Sequence, residues 1–150
     1  MTKLVNKMKQ LNLKIITPEK VVIEETVDQV TIPTTEGEIT ILPGHVPLVS
    51  LLGKGDIVAK VSGEDVPFIA IGGFIRVHDN EVAIMADFAE HVSTVATENA
   101  IEDAKNKANE LQKKFENNEI VDAEHFEAEL ERSLMRARIG DKWKVKKYRK

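Results

Sequence analysis

The sequence predicts a β-sandwich domain followed by an α-helical hairpin. Through about the first ninety residues apolar and polar residues alternate with a period of two, and turn signals separate the short runs. From Val95 onward the apolar spacing changes to three and four, which is typical of amphipathic helices. We therefore expect a flexible extension over residues 1–9, a sandwich over 10–92, and a two-helix domain with a basic tail over 93–150.

The predicted strands are short and evenly spaced. In the first, Leu11, Leu13 and Ile15 share one face, and residues 17–20 then turn the chain. Further strands are expected at 21–23, 27–32, 38–41, 46–52, 56–61, 68–71, 74–77 and 82–85. The turns expected between them include Glu36-Gly37, Gly53-Lys54-Gly55, Ser62-Gly63-Glu64-Asp65 and Asp79-Asn80.

The stretch from Ile32 to Leu52 organises this domain. Its three prolines and two glycines exclude a long helix. The chain is expected to turn a corner at Pro43-Gly44, after which the apolar run from Val46 to Leu52 re-enters the core. This pattern predicts a rigid loop at one end of the sheet.

Two helices are predicted next, joined by a short linker at Asn117-Asn118. Asp122 is the expected N-cap of the second helix, with Val121 and Phe126 forming a hydrophobic staple, and Gly140 is expected to stop it. The apolar stripes are Ile101, Ala104, Ala108, Leu111 and Phe115 in the first helix, and Ala123, Phe126, Leu130, Ser133 and Ala137 in the second. Narrow single stripes favour an antiparallel hairpin.

Alanine is frequent in the stripes, and small side chains bury little area. One hypothesis is that the helices pack weakly and can leave the sandwich to bind elsewhere. A permanently docked hairpin fits the sequence equally well. Hydrogen exchange separates the two, because helical amides protected as strongly as the strands would exclude easy release.

Candidate groups for catalysis are scarce. The chain has no cysteine, which excludes disulfides, thiolate nucleophiles and thiolate metal sites. It shows no nucleophile elbow and no phosphate-binding loop. The histidines lack metal-ligand spacing and are interpreted as structural or surface residues: His45, His78, His91 and His125. We expect no catalytic residue, no metal and no cofactor.

The charge distribution is strongly asymmetric. Residues 132–150 contain nine basic side chains and one acidic one, a net +8, so the rest of this chain of net charge −4 carries −12. Trp143, Val145 and Tyr148 are interleaved with the lysines. Such a tail can bind anionic lipid, nucleic acid or an acidic protein face, or it can be a disordered solubilising end. No membrane span or targeting segment is recognised, so a cytoplasmic chain is expected.

Residues 36–48 read Glu-Gly-Glu-Ile-Thr-Ile-Leu-Pro-Gly-His-Val-Pro-Leu. This run resembles the signature of the epsilon subunit of bacterial rotary F-type ATP synthases. Gly72-Gly73-Phe74 and the strand at 81–87 are similar to the Gly-Gly hairpin and last strand of that family. The resemblance extends from about Leu11 to Arg138 and implies a sandwich of the ten-stranded type.

The resemblance implies a non-catalytic rotor subunit of a proton-transporting ATP synthase. Its sandwich would clamp the gamma shaft to the ring of c subunits, while its helices would restrain ATP hydrolysis by contacting the catalytic beta subunit, with alpha beside it. Such a complex sits at the cytoplasmic face of the bacterial membrane, where this subunit would be peripheral. No nucleic-acid partner is implied.

The resemblance also implies contact residues. The loop holding Glu38, expected close to the corner, would face basic groups on the rotor ring together with Pro43, Gly44 and His45. The run at 134–137 is similar to the family's Leu-x-Arg-Ala motif. It marks Arg136, with Arg132 and Arg138 nearby, as the group facing an acidic segment of the beta subunit.

Some bacterial members of that family bind a nucleotide through Ile/Leu-Asp-x-x-Arg-Ala. The matching residues 95–100 read Val-Ala-Thr-Glu-Asn-Ala, so Ala96 and Asn99 replace the aspartate and the arginine. Without that arginine the phosphates lose their cation. We therefore expect weak or absent ATP binding.

A second function class fits the sequence alone, namely a free-standing β-sandwich interaction module whose basic tail binds anionic membrane or nucleic acid. Co-purification separates the classes, because only the first requires gamma and the catalytic subunits to accompany the chain.

Overall fold

The computed structural model describes residues 10–119 and 122–150. The extension predicted for residues 1–9 and Val121 of the predicted staple therefore lie outside the described residues. Two compact units are present. The sandwich unit contains the described residues up to His91 together with Lys147–Lys150, and the helical unit contains Val92–Lys146. The last four residues thus group with the strands rather than with the helices.

The sandwich unit contains seven strands in its described part, in the order β2-β1-β7-β6-β5-β3-β4. The pair β1 and β7 is parallel, and the other neighbours are antiparallel. The strands are β1 (Leu11–Ile16), β2 (Val21–Val27), β3 (Gln29–Thr34), β4 (Gly37–Ile41), β5 (Leu48–Val61), β6 (Glu64–His78) and β7 (Glu81–His91). The implied count of ten is wrong, because β5 and β6 each run without a break through residues expected to separate shorter strands.

Glycine explains that difference. Gly53 lies inside β5 rather than in a turn, and Gly72 and Gly73 lie inside β6 rather than at a hairpin. A Cβ on Gly73, at φ +129°, would lie 1.9 Å from the carbonyl oxygen of Met85, and a Cβ on Gly53 would lie 2.9 Å from that of Thr34. These glycines permit close approach of neighbouring backbones, so they bend long strands instead of ending them.

The core lies between the halves of the bent sheet. Its large, fully buried side chains include those of Leu11, Leu13 and Ile15, as the alternation predicted. The apolar run from Val46 to Leu52 re-enters the core only in part. Leu52 is buried and Leu48 packs against the core, whereas Val46, Val49 and Leu51 are exposed. Within β5 the period of two sends alternate side chains to the outer face.

The predicted short turns between strands are confirmed at two hairpins. Ser62-Gly63 joins β5 to β6 and Asp79-Asn80 joins β6 to β7, and all four residues have positive φ. Consecutive positive φ values match the right-handed twist of the flanking strands. Thr17 and Lys20 close the turn after β1 through a backbone hydrogen bond of 2.9 Å.

The helical unit begins with a single 3₁₀ turn, and its two α-helices form the predicted antiparallel hairpin. The start of the first helix meets the end of the second, where Lys144 Nζ lies 3.9 Å from Glu98 Oε1. At the opposite end the rings of Phe115 and Phe126 stack with centroids 5.5 Å apart. The bounds are Val92–Thr94 for the 3₁₀ turn, Glu98–Glu116 for α1 and Ala123–Lys144 for α2.

Asp122 caps α2 as predicted, since its side chain accepts a hydrogen bond from the N–H of His125 at 3.2 Å. Gly140 does not stop α2. It lies inside the helix, where a Cβ would come within 2.5 Å of the Val95 carbonyl oxygen. Trp143 is accordingly a buried helical residue, although its spacing among lysines had placed it in a tail.

Candidate interaction surfaces

Five exposed or half-buried apolar side chains form one row across the outer face of the sheet. Leu51 pairs with Phe74, and Phe74 pairs with Met85. Met85 also pairs with Ile16, which pairs with Val21. Directly paired residues of a regular ladder point to the same face, so the first four side chains adjoin one another across β5, β6, β7 and β1. Val21 continues the row on β2, next to a register shift between Ile15 and Ile16. We call this set the apolar row.

Most side chains of the apolar row are exposed. Leu51, Phe74, Met85 and Val21 are 43% to 54% exposed, and Ile16 is half-buried. Contiguous apolar surface of this kind marks a site of protein or membrane interaction. The sequence analysis missed the row, although the signal was present: apolar residues at successive positions of a strand imply that both faces meet apolar partners.

The predicted corner is a well-defined loop. The N–H of Gly44 donates to the Asn80 side chain at 2.7 Å, which ties the corner to the β6–β7 turn. The N–H of His45 donates to the carbonyl of Leu42 at 3.1 Å, and the ring Nδ1 of His45 lies 2.7 Å from the carbonyl oxygen of Val46. Leu42 is 52% exposed and Val46 is 70% exposed. The corner therefore presents apolar side chains on a fixed backbone.

Glu38 does not lie in that loop. It is the second residue of β4 and pairs with Pro33, whereas the corner follows Ile41 at the other end of the strand. The three residues from Glu38 to Ile41 span about 10 Å of extended chain. Glu38 is exposed beside the Thr35-Glu36 turn, and that turn is bonded to β5 through the Thr35 N–H and the Leu51 carbonyl at 3.3 Å. The structure therefore brings the β3–β4 turn next to the apolar row instead of the corner.

The three predicted arginines divide between two faces of α2. Arg132 and Arg136 are separated by four residues and share a face, and both are half-buried. Arg138 is exposed, and its guanidinium lies 3.3 Å from the sulfur of Met135. A partner that meets one face of α2 would thus contact Arg132 and Arg136 together.

A polar groove of about 500 Å³ lies within the helical unit between α1 and α2. Its lysines already face carboxylates: Lys105 Nζ lies 3.3 Å from Asp141 Oδ2, and Lys144 lies beside Glu98. At the start of α1 the hydroxyl of Thr97 accepts from the Ala100 N–H at 3.2 Å. Cations that are already paired are poor ligands for a further anion.

The carboxyl-terminal tail is bound to the sandwich unit. The guanidinium of Arg149 forms a bidentate pair with the carboxylate of Glu25, in which Nη1 and Oε1 are 2.6 Å apart. The N–H of Arg149 donates to the carbonyl of Asp65 at 2.8 Å. The hydrogen bonds and charge of Arg149 lower the pKa of Glu25, while Glu25 and then Glu64 raise the pKa of Arg149.

His91 lies beside that pair. Its ring meets Tyr148 with centroids 6.1 Å apart and meets the buried ring of Phe68 edge-on at 5.1 Å. Burial lowers the pKa of His91, a hydrogen bond to the Arg149 backbone opposes this shift, and the charge of Arg149 adds to it. The sequence analysis missed this site, because nothing in a single sequence pairs Glu25 with a residue 124 positions away.

Neither a metal site nor a membrane-spanning helix occurs in the part of the chain that the structure describes. No group of three or more His, Asp or Glu side chains is arranged to hold a metal ion there. The described helices are also too polar for a membrane span.

Residues 10–92 match the family model of the ATP synthase delta/epsilon chain, beta-sandwich domain. The chain belongs to this family. Curated relatives named ATP synthase epsilon chain extend the match into the helical unit. The protein of Nitratidesulfovibrio vulgaris strain DP4 is 37% identical over 131 residues, covering 87% of this chain and 96% of the relative. That of Dehalococcoides mccartyi strain BAV1 is 35% identical over 135 residues, covering 90% and 95%.

Solved structures share the fold. A chain of the Euglena gracilis mitochondrial ATP synthase OSCP/F1/c-ring assembly aligns with TM-score 0.54 and 23% identity, over 89% of this chain and 78% of that one. A chain of the Tetrahymena thermophila mitochondrial central stalk/c-ring structure aligns with TM-score 0.51 and 21% identity, over 90% and 96%. The family match at 10–92 contains the apolar row, Glu38 and the corner. The arginines of α2 and the tail lie beyond it.

Proposed function

We propose that this chain is a non-catalytic rotor subunit of a proton-transporting ATP synthase, peripheral at the cytoplasmic face of a bacterial membrane. It couples rotation of the membrane ring and the gamma shaft to ATP synthesis, and its helices restrain hydrolysis. Family membership supports the complex. The apolar row is the observation that best supports the coupling role, because a module that transmits torque needs a broad and rigid contact surface.

The apolar row is our candidate surface for the gamma shaft. Phe74 lies at its centre and is 54% exposed on β6, a central strand whose next residue, Ile75, is fully buried. Burying the remaining exposed area of several such side chains contributes about 1 kcal/mol or more each. The anchored backbone adds little ordering cost on binding. The row therefore fits a lasting contact better than a transient one.

The corner and Glu38 are our candidate contacts with the ring of c subunits. Pro43, Gly44 and His45 supply a fixed loop, with the apolar side chains of Leu42 and Val46 beside them. Glu38 supplies an exposed carboxylate at a separate position on β4. An exposed ion pair there contributes up to about 1 kcal/mol and weakens with salt. The ring contact is therefore two patches rather than one.

The helical unit is our candidate brake on ATP hydrolysis. Arg132 and Arg136 share a face of α2 and suit an acidic segment of the catalytic beta subunit, with alpha adjacent. Arg138 lies on another face and would contribute less. The chemistry of ATP belongs to the partner subunits in this proposal, and nucleic acid is no partner.

Co-purification tests the proposal. A tagged chain carrying Phe74→Asp is compared with one carrying Thr26→Asp, an exposed residue of β2 outside the apolar row. Both changes add one negative charge to the surface. We expect Phe74→Asp to reduce recovery of gamma and the catalytic subunits about tenfold or more. The control variant should recover them as the unmodified chain does.

Equal recovery with both variants would remove the apolar row from the coupling role. If the unmodified chain recovered no synthase subunits but bound anionic vesicles or nucleic acid through its tail, the free-standing module would replace the proposal.

The brake has its own test. In the reconstituted complex, Arg136→Ala should raise ATP hydrolysis, whereas Lys114→Ala, a cation of α1 paired with Glu110, should not. Calorimetry on the purified chain should show no ATP binding at micromolar concentration. Micromolar affinity would contradict our reading of Ala96 and Asn99.

A further inference from the structure

The tail is held by a built site rather than by a single ion pair. Both terminal nitrogens of the Arg149 guanidinium donate to the carboxylate of Glu25, and the backbone N–H of Arg149 donates to the carbonyl of Asp65. Its backbone also meets the ring of His91. Bidentate, charge-assisted geometry fixes direction as well as distance. An isolated surface lysine would have none of these properties.

Tyr148, next to Arg149, extends a stack of rings from the buried core to the surface. Phe68 is buried, His91 covers its edge, and Tyr148 covers His91. Tyr148 and Arg149 are both half-buried, whereas Lys147 and Lys150 at either side of them are exposed. The tail therefore docks through its two central residues and leaves the flanking lysines in water.

The surface under the tail is acidic. Glu25, Glu64 and Asp65 surround Arg149, and Lys60 lies 4.0 Å from the Asp65 carboxylate. This surface complements the basic composition of residues 146–150, of which 147–150 group with the sandwich unit. The occupant of the site is thus the chain's own carboxyl terminus.

The docked tail also affects the helical unit, to which it is joined along the chain. The helical unit, Val92–Lys146, is continuous with the sandwich unit at His91 and again at Lys147. While the tail is docked, both ends of the helical unit are tethered to the sandwich unit. When the tail is released, only the His91 end remains tethered.

We propose that Lys147–Lys150 form a latch, closed by Arg149 on Glu25, which must open before the helical unit can act as a mobile arm. The docking stands on its own contacts. The gating role rests on the proposed brake function of the helices. Release of the latch also frees the guanidinium of Arg149, so Glu25 and an acidic protein face compete for the same positive charge.

The docking is tested on the full chain by exchange of the Arg149 amide, whose N–H donates to the Asp65 carbonyl. Glu25→Gln removes the charge but keeps the shape, and Glu24→Gln, the exposed neighbour on β2, is the matched control. We expect Glu25→Gln to speed exchange of this amide about fivefold or more, and Glu24→Gln to leave it unchanged. The double variant Glu25→Arg with Arg149→Glu should restore part of the protection that either single change removes.

Unchanged tail exchange in Glu25→Gln would overturn the latch. Exchange of the β5 and β6 amides, measured in the same samples, shows that each variant is folded. A second experiment separates docking of the tail from gating of the helical unit. In the reconstituted complex, Glu25→Gln should lower ATP hydrolysis relative to Glu24→Gln, because an open latch releases the arm. A released tail with unchanged hydrolysis would overturn the gating role and leave the docking in place.

Discussion

The two units of this chain bury very different side chains. In the sandwich unit, fully buried Ile, Val and Leu side chains dominate, with Phe68 as the largest. In the helical unit, small residues occupy much of the interior, namely Ala104, Ala108, Ser133, Ala137 and Gly140. A buried isoleucine removes far more apolar area from water than a buried alanine, so the free energy of unfolding per residue should be higher in the sandwich. We therefore expect the helical unit to open more easily than the sandwich unit.

One part of the helical unit departs from this contrast between large and small buried side chains, and it contains Met135, Ile139 and Trp143. These large side chains are buried near the carboxyl end of α2, whereas the Phe115 end of the hairpin is exposed. The helical unit is therefore least secure at its Phe115–Phe126 end. Opening should begin there.

The largest effect is expected from a cavity in the sandwich core. Ile75→Ala on β6 removes a fully buried side chain and should lower the free energy of unfolding by about 2–5 kcal/mol. Urea unfolding followed by circular dichroism measures it. Val49→Ala, at a residue 74% exposed on β5, should change stability by less than about 0.5 kcal/mol. Similar losses in the two variants would mean that the core is not where the strands are stabilised.

The next largest loss of stability is expected from Gly140→Ala, and it should affect the helical unit alone. The added Cβ would lie 2.5 Å from the Val95 carbonyl oxygen and 2.9 Å from Ile101 Cγ1. Crowding of this kind costs about 1–3 kcal/mol and exceeds the gain of about 1 kcal/mol in helix propensity. Thermal loss of helical ellipticity should occur at lower temperature while the strand signal is unchanged. A more stable helical unit would show that α2 does not need a glycine there.

Loss of a helix cap should have a moderate effect. Asp122→Ala removes the acceptor for the His125 N–H and should destabilise the start of α2 by about 1 kcal/mol. Asp122→Asn keeps an acceptor and serves as the control. Amide exchange over the first turn of α2 measures the difference, and equal exchange in the two variants would contradict the cap.

The smallest effect is the pH dependence of tail docking. The pKa of Glu25 is lowered from its ordinary 4.5, chiefly by its hydrogen bond with the Arg149 side chain of the docked tail. A group whose pKa is lowered in the docked state stabilises docking above its ordinary pKa and loses that contribution as the pH falls. The Arg149 amide should therefore exchange faster, relative to the intrinsic rate, as the pH falls below about 4.5. Glu25→Gln should abolish this step, and protection that rises on acidification would contradict the prediction.

The strand pattern was predictable because alternation reports directly on burial. Leu11, Leu13 and Ile15 are buried as expected, and both hairpin turns were recognised from residues that tolerate positive φ. Gly63 and Asn80 illustrate this local signal, which requires no knowledge of the fold.

Glycine was the main source of error. Gly53, Gly73 and Gly140 were interpreted as turns or stops, because sequence alone shows that a glycine is permissive but not why it is needed. Each lies inside an element where another backbone or side chain approaches closely. The reason is long-range, so it becomes visible only in three dimensions.

The interaction surfaces were only partly predictable. The corner lay in the stretch that local composition singled out, but Glu38 proved to be separated from it by β4. The apolar row requires the register of five strands, and the Arg149–Glu25 pair requires a contact across 124 positions. Neither has a local sequence signature.

The central claim is that a stiff sandwich carries a helical unit that opens independently. Residue-resolved hydrogen exchange on the full chain under native conditions tests it directly. We expect the amides of α1 and α2 to exchange through an opening that leaves β5, β6 and β7 protected, with faster exchange at the Phe115 end of the hairpin. Helical amides that exchange only with the strands, at the same free energy of opening, would contradict the claim.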